Sequence, residues 1–371
     1  MPKSSYNRIV IDLAAIRDNF RALQDLAGPA VEILAMVKSD AYGHGLIRCA
    51  KALASVGASY FGVAELDEAA ALREAGIDGH IVIFLGCPDV QALIHYKLSP
   101  VVFDLESIRE ISAAAATVDT RIGLHLKIDV GMGRLGIMPA DLPLFAGEIS
   151  RLPGVFLAGV LGHFPMADQD ELLTRQQNDK FNRLVNTLID VAGGNGPVFV
   201  HIANSAALLQ YPETHHQMVR PGISLYGCYP ADDIAGISLR PVMSFKTQVM
   251  QIKDVPAGYG ISYGHLFTTE RPSRLAVLPV GYADGYLRAL SGRASVLVRG
   301  RRVPVCGRIC MNSCVIDVTD IPGVQVADEV VLLGKQNHAG ISAAEVADWL
   351  HTINYEVLCL FGNNNDREYV D

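Results

Sequence analysis

The chain is predicted to be an α/β protein, an N-terminal (β/α)8 TIM barrel followed by a C-terminal, mostly β domain. Three observations predict it. Its 371 residues suggest two domains. From about residue 30 to 227, short apolar runs alternate with amphipathic segments. After Arg240 the runs crowd together, separated by Gly, Pro and Asp turns.

The first region has runs at 32–37, 60–64, 80–85, 100–103, 122–128, 155–161, 198–202 and 218–223, each short enough for a buried strand. Helical patterns lie between most of them, such as 66–75, 105–116 and 171–192; in the last, Leu172, Leu184 and Leu188 recur at helical spacing. Strand–helix alternation indicates a parallel sheet, and eight repeats suggest a closed barrel. Closure itself is not legible, so an open doubly wound sheet stays the alternative. In the second region 245–252, 274–280, 294–298, 303–305, 313–318 and 329–333 read as strands, and 343–361 as one long helix. The expected domains are therefore 1–240 and 241–371.

Half the residues are apolar and 19% are charged, so a large core can be buried. A net charge of -8 gives no electrostatic reason to expect nucleic acid or an acidic membrane surface as partner. No apolar run reaches the ~18 residues of a membrane helix. Residues 1–8 lack the apolar segment of a signal peptide, and seven scattered cysteines read as reduced thiols, so a cytoplasmic protein is expected. Cys306, Cys310 and Cys314 could suggest a metal, but one strand through them would spread them too far to grip an ion. They read as buried structural thiols, and no metal is expected.

The sharpest local feature follows the first run: Lys38-Ser39-Asp40-Ala41-Tyr42-Gly43-His44-Gly45. A lysine at the carboxyl end of a barrel strand sits where such folds place their chemistry. Lysine also forms Schiff bases, and partial burial eases its deprotonation. Other polar residues fall at the same ends: Lys127, Asp129 and Arg134 at the fifth run, His163 at the sixth, Asn204 and Ser205 after the seventh, Arg220 and Gly222 at the eighth. A buried His or Arg can be structural when paired, but so many polar strand ends on one rim point to a site.

Gly131-Met132-Gly133-Arg134-Leu135-Gly136 matches a dinucleotide fingerprint, which must open a helix; Pro139 and Pro143 follow at once, so the glycines read as a tight turn or a close backbone approach. His215-His216 lacks any carboxylate–histidine metal spacing and reads as a solvated loop.

Segments 37–45, 127–136, 201–207, 218–227, 258–264, 280–286, 307–311 and 353–359 resemble the alanine racemase family, in order along nearly the whole chain. The resemblance implies a barrel and a β domain, and a homodimer whose active sites are each completed by the partner's C-terminal domain. It implies pyridoxal 5'-phosphate (PLP) as cofactor, joined to Lys38. Tyr42, Ser205, Gly222, Ile223 and Tyr355 match the positions that hold its phosphate, Arg134 the arginine near its phenolic oxygen, and Arg220 the one facing its pyridine nitrogen. His163 matches the residue that links to the catalytic tyrosine, itself matched by Tyr263. Met311 and Tyr282 match positions at the substrate carboxylate and the entrance, and Lys127 a position carbamylated in some members. The implied activity is interconversion of L- and D-alanine, with Lys38 and Tyr263 as bases on opposite faces. D-Alanine for peptidoglycan is the implied product.

Asn312 stands where the family usually has Asp, Ser39 where alanine is usual, and the tail 362–371 departs from the expected ending. A serine or broad-specificity racemase is therefore the nearest alternative. A barrel-type PLP decarboxylase and a non-catalytic PLP-carrier protein are the others. Tyr263 argues against the first, and the β domain after residue 240 against both.

Overall fold

A computed structural model of the chain describes residues 5–86, 89–192, 198–231, 234 and 236–371. They form two compact units: one comprises Ile16–Ala41 and Leu46–Arg240, the other the segment up to Ala15, Tyr42–Gly45 and Pro241–Asp371.

The first unit is a parallel sheet of eight strands: β1 Glu32–Met36, β2 Tyr60–Val63, β3 His80–Ile83, β4 Ser99–Val102, β5 Ile122–Lys127, β6 Val155–Leu161, β7 Phe199–His201 and β8 Met218–Val219. Neighbours pair in chain order from β1 to β7, and β8 returns to β1 through Glu32↔Met218 and Ile33↔Val219. Just beyond β7 and β8, Arg220 N–H donates to the Ala203 carbonyl at 2.9 Å, a backbone tie across the remaining gap. The result is a nearly closed eight-stranded barrel. Its strands are apolar runs because helices cover the outside and side chains fill the inside. Leu34, Phe61, Ile83, Val101, Leu124 and Val160 are almost fully buried. The helices Leu66–Glu74, Leu105–Thr117 and Glu171–Ala192 stand within a residue of their expected bounds. Run 218–223 is a strand only at Met218–Val219 and then tightens into a 3-10 turn, Ile223–Tyr226.

The second unit is built on one large sheet. Its strands are β9 Met243–Gln248, β10 Gln251–Val255, β11 Ser273–Leu278, β12 Ser295–Val298, β13 Arg301–Cys306, β14 Cys314–Asp317 and β15 Glu329–Gln336. The spatial order is β10–β11–β14–β13–β12–β15–β9, extended by Arg8–Asp12 and then Arg367–Val370. Three expectations need correction. The run 245–252 is two strands, because Val249 N–H bonds to Asp328 and Met250 N–H to Val277, so the chain changes partner there. The helix 343–361 is also two, Ala343–Leu350 and Asn354–Asn364, broken where His351 turns left-handed (φ 56°). The three cysteines do not share one strand: Cys306 ends β13, Cys314 opens β14, and Cys310 lies in the loop between. Burial holds the Cys306 thiol up at about 12 and pushes Cys314 higher still, as expected of structural thiols.

Candidate active site

Lys38 follows β1 and opens one turn of left-handed helix, with φ of 54°, 52°, 54° and 54° at Ser39, Asp40, Ala41 and Tyr42. That conformation costs roughly 1–2 kcal/mol per residue with a side chain, so neighbours must impose it. Ala41 N–H bonds to the Val37 carbonyl at 2.8 Å. The Glu68 carboxylate accepts from Asp40 N–H (3.0 Å) and from Ala64 N–H (2.9 Å), joining the turn to the end of β2. Asp40 in turn accepts from Leu46 N–H at 2.6 Å, at the start of the helix Leu46–Ala54. The lysine therefore stands on a braced turn at the carboxyl end of a barrel strand, the end that carries chemistry in such barrels.

Inside that rim the side chains are cationic and imidazole groups. Arg220 is buried, and its terminal nitrogens are fully engaged. Nη1 donates to the His201 carbonyl (2.7 Å) and to His201 Nδ1 (3.1 Å). Nη2 donates to Gly162 (2.8 Å) and Ile202 (3.1 Å) carbonyls and to His163 Nδ1 (3.3 Å). Guanidinium only donates, so His163 carries its proton on Nε2. Burial lowers Arg220 to about 9, which leaves it charged at neutral pH. Burial, then Arg220, Lys127, Arg134 and Lys38, pushes His163 well below its ordinary range, so it is neutral. Lys127 is lowered to about 7 by burial first, with Arg220, Arg134 and Lys38 adding to it and Asp129 opposing. Lys38, Lys127, Arg134, His163 and Arg220 thus form one electrostatic cluster. His201 was not singled out in the sequence; its only signal was its place at the start of segment 201–207.

The glycine motif is a turn built around Asp129. Its carboxylate accepts from the N–H groups of Gly131 (2.8 Å), Met132 (2.8 Å) and Gly133 (2.9 Å). Burial alone would raise this carboxyl, but those bonds outweigh it and hold it below its usual value. Gly131, Gly133 and Gly136 all have positive φ, and no helix opens there. The turn presents Arg134, which is exposed. After β7, Asn204 Oδ1 caps the helix Ser205–Gln210 by accepting from Ala207 N–H at 3.0 Å. Ser205 Oγ accepts from Gly222 N–H at 2.9 Å, bringing Ser205 to the buried loop of Gly222 and Ile223. The His215-His216 pair is not a solvated loop: His215 is buried with Nε2 at 2.9 Å from the Leu208 carbonyl, and His216 packs edge-on to Phe181.

The other site residues lie in the second unit. Tyr42 and Tyr355 have ring centroids 6.1 Å apart. Burial, then Tyr355 and Cys359, pushes the Tyr42 phenol well up, so it remains a neutral O–H donor. Tyr263 sits in the turn Tyr263–His265, anchored where Ser262 Oγ donates to the Arg308 carbonyl at 2.7 Å. The same strand-to-strand loop accepts Tyr282 N–H at Cys310 (3.1 Å) and Ala283 N–H at Met311 (3.0 Å). Segments 258–264, 280–286 and 307–311 therefore converge, and Tyr263, Tyr282 and Met311 share one neighbourhood.

The family model for the alanine racemase N-terminal domain matches residues 11–230, and that for the C-terminal domain residues 242–369. The chain belongs to the alanine racemase family. An alanine racemase of Syntrophobacter fumaroxidans is 42% identical over 369 residues, 98% of each chain. One of Halothermothrix orenii is 42% identical over 97% of this chain and 95% of its own. Among solved structures, alanine racemase from Streptomyces lavendulae matches with a TM-score of 0.93 at 36% identity, over 100% of this chain and 98% of that one. That from Bacillus anthracis with bound L-Ala-P matches at 0.91 and 34%, over 100% and 96%. The activity is accordingly that of an alanine racemase, and the cofactor is PLP.

The residues present fit that cofactor. With Nη1 and Nη2 engaged, Nε–H is the guanidinium donor of Arg220 with no acceptor among the described residues, and a pyridine nitrogen is an acceptor. In the loop after Gly222, the Ser224 hydroxyl is buried without a hydrogen-bond partner among the described residues, a donor suited to a phosphate oxygen.

Proposed function

We propose that Lys38 and Tyr263 are the two bases of alanine racemisation in this chain, Lys38 from one subunit and Tyr263 from a second copy. When bound, PLP supplies the electron sink that allows the Cα–H bond to ionise. Lys38 holds the cofactor and moves the proton on one face; the Tyr263 oxygen moves it on the other. Two bases on opposite faces invert the centre without either having to swing around. His163, its proton on Nε2 because Arg220 occupies Nδ1, donates toward the tyrosine oxygen. The observation that carries this reading is the buried Arg220, whose Nη1 and Nη2 are engaged by protein acceptors while Nε–H has none among the described residues. It would donate to the ring nitrogen and keep it an acceptor, and a neighbour that cannot take a proton weakens the sink and favours return of the proton to carbon. Tyr42, Ser205, Gly222, Ile223 and Tyr355 hold the phosphate. Arg134, Met311 and Tyr282 receive the substrate.

Exposure supports the reading of a dimer. Tyr263 is 68% exposed, Met311 56% and Tyr282 37%, a surface that a second copy would cover. At Lys127 the lowered amine is nucleophilic near neutral pH: nitrogen adds to CO2, a proton leaves, and the resulting carbamate places a negative charge among Arg134, Arg220 and Lys38. D-Alanine made in the cytoplasm for peptidoglycan is the role that fits this activity.

The experiment is to compare initial racemisation of L-alanine and L-serine by purified protein with PLP, beside two variants. Lys38→Ala is expected to lose the visible absorbance of bound cofactor together with activity. Tyr263→Phe is expected to keep the absorbance and lose racemisation, mostly from the L side; full activity in this variant refutes the two-base assignment. Equal or faster turnover of serine keeps the mechanism and widens the substrate.

A further inference from the structure

Behind Arg220 the buried imidazoles continue deeper into the barrel. His201 Nε2 lies 3.0 Å from His125 Nδ1, with the rings edge-to-face, centroids 5.1 Å apart and planes at 83°. Both are buried, His125 at 4% exposure and His201 at 0%. Their strands, β5 and β7, are not adjacent; β6 lies between, and alternate strands of a barrel share an interior layer. The crossing is made possible at Gly159 of β6, the register partner of His125. A Cβ on Gly159 would come within 2.2 Å of His125 Nδ1, so this position must lack a side chain. The register also shifts here: Leu124 pairs with Leu157 and His125 with Gly159, leaving Ala158 as the extra residue of a bulge. Bulges of this kind re-aim side chains beside functional sites.

The proton positions follow from Arg220. Guanidinium only donates, so His201 Nδ1 accepts and its proton lies on Nε2. His201 Nε2–H then donates to His125 Nδ1, which puts the second proton on His125 Nε2. Charged imidazoles would break this chain. Burial first, then Arg220 and His80, lowers His125 to about 4; burial, then Arg220 and His125, lowers His201 well below its ordinary range.

We propose that His125 is a positioning residue for Arg220, acting through His201, whose ring plane and tautomer it locks. The proposal rests on the reading that Arg220 faces the cofactor's ring nitrogen. Without an acceptor at His125, His201 is free to move its proton to Nδ1, which turns a donor toward Arg220 Nη1 and forces the guanidinium to shift. A packing role alone would be met by any ring of the same volume. The hydrogen-bond relay requires an acceptor at the Nδ1 position.

The test compares His125→Phe, which keeps the volume, with His125→Asn, whose Oδ1 replaces Nδ1. In the PLP-loaded enzyme, His125→Phe is expected to lower kcat by roughly tenfold, the lower end of what removing a histidine's orienting partner costs at metal sites. KM should stay nearly constant, the cofactor absorbance should shift, and more pyridoxamine phosphate should form per turnover. His125→Asn should restore all of these toward wild type. Equal behaviour of the two variants, or an unchanged pyridoxamine yield in His125→Phe, overturns the proposal. If His125→Phe does not fold, Gly159→Ala displaces the ring while leaving it in the chain, and the same readings decide. A neutron structure of the wild-type protein reads the relay without reference to activity: deuterium belongs on His201 Nε2 and His125 Nε2, and deuterium on His201 Nδ1 overturns it. An Arg220→Glu enzyme with unchanged pyridoxamine yield overturns the reading of Arg220 and the proposal with it, and the neutron map then shows whether the relay itself stands.

Discussion

At Arg220 a charge that would cost several kcal/mol to bury alone is kept because five protein acceptors converge on it. The expected consequence of Arg220→Glu is a gain in half-transamination, read as pyridoxamine phosphate and pyruvate formed per racemisation turnover, because a carboxylic acid can share a proton with the ring nitrogen. Lys127 is the opposite case, a cation with no comparable set of acceptors among the described residues, and its amine falls from 10.5 to about 7. The unfolded chain therefore binds more protons here between about pH 7 and 10.5. In the uncarbamylated protein the lysine destabilises most below pH 7, and that penalty is relieved as pH rises through this window. A Lys127→Met variant should be more stable at pH 7, with a smaller rise in thermal midpoint toward pH 9. Parallel calorimetric curves for the two proteins would contradict this. Carbonate-saturated buffer should flatten the wild-type curve as well, by replacing the cation with an anion.

Among the elements, two turns set the site, and both take their shape from carboxylates. The left-handed turn at Ser39–Tyr42 is braced by Glu68, which the sequence did not mark, and by Asp40, which it marked only as part of the Lys38–Gly45 motif. The turn after β5 closes on Asp129, which the sequence did mark, though as a rim charge. Asp129→Ala should remove the acceptor of three backbone donors, of which only Met132 N–H is half-buried, and cost about 0.5–1.5 kcal/mol, measured by urea unfolding. It should also raise KM, since Arg134 leaves its position; an unchanged KM would detach Arg134 from substrate. The strands of the barrel were legible because each is a short, mostly buried apolar run, a property of its own residues. Where an element changes partner or direction, the pattern misled. Val249 and Met250 continue an apolar run while their hydrogen bonds pass from one neighbour to another. Asn354–Asn364 continues the helical pattern of Ala343–Leu350 across His351, whose left-handed backbone no periodicity records.

For the whole molecule, the proposal that two copies share each active site is tested by complementation. On that proposal, Lys38→Ala and Tyr263→Phe should each disable the site in which they sit. In a mixed dimer the two substitutions fall in one site and leave the other intact. Random mixing should therefore recover about one quarter of the wild-type rate in a twofold dimer. Sites built from a single subunit would recover none. The second sheet illustrates a non-local choice of the same kind within one chain: Arg8–Asp12 pairs antiparallel with β9 and parallel with Arg367–Val370. Ile9 and Ile11 are fully buried there. The alternating pattern of that short segment was present in the sequence, but nothing local names partners so far along the chain.

The alternation of strands and helices, the change of texture near residue 240, Lys38 and the polar strand ends were all readable along the chain, since each depends on the character and spacing of nearby residues. Near closure of the barrel, the bracing of Lys38 by Glu68 and the tautomers of His163, His201 and His125 were not. They arise from contacts between strands and turns distant in sequence, and from the single missing side chain at Gly159 that lets one ring reach another. A histidine reads the same in any apolar run; its proton is assigned only by the donor or acceptor that folding brings to its other face.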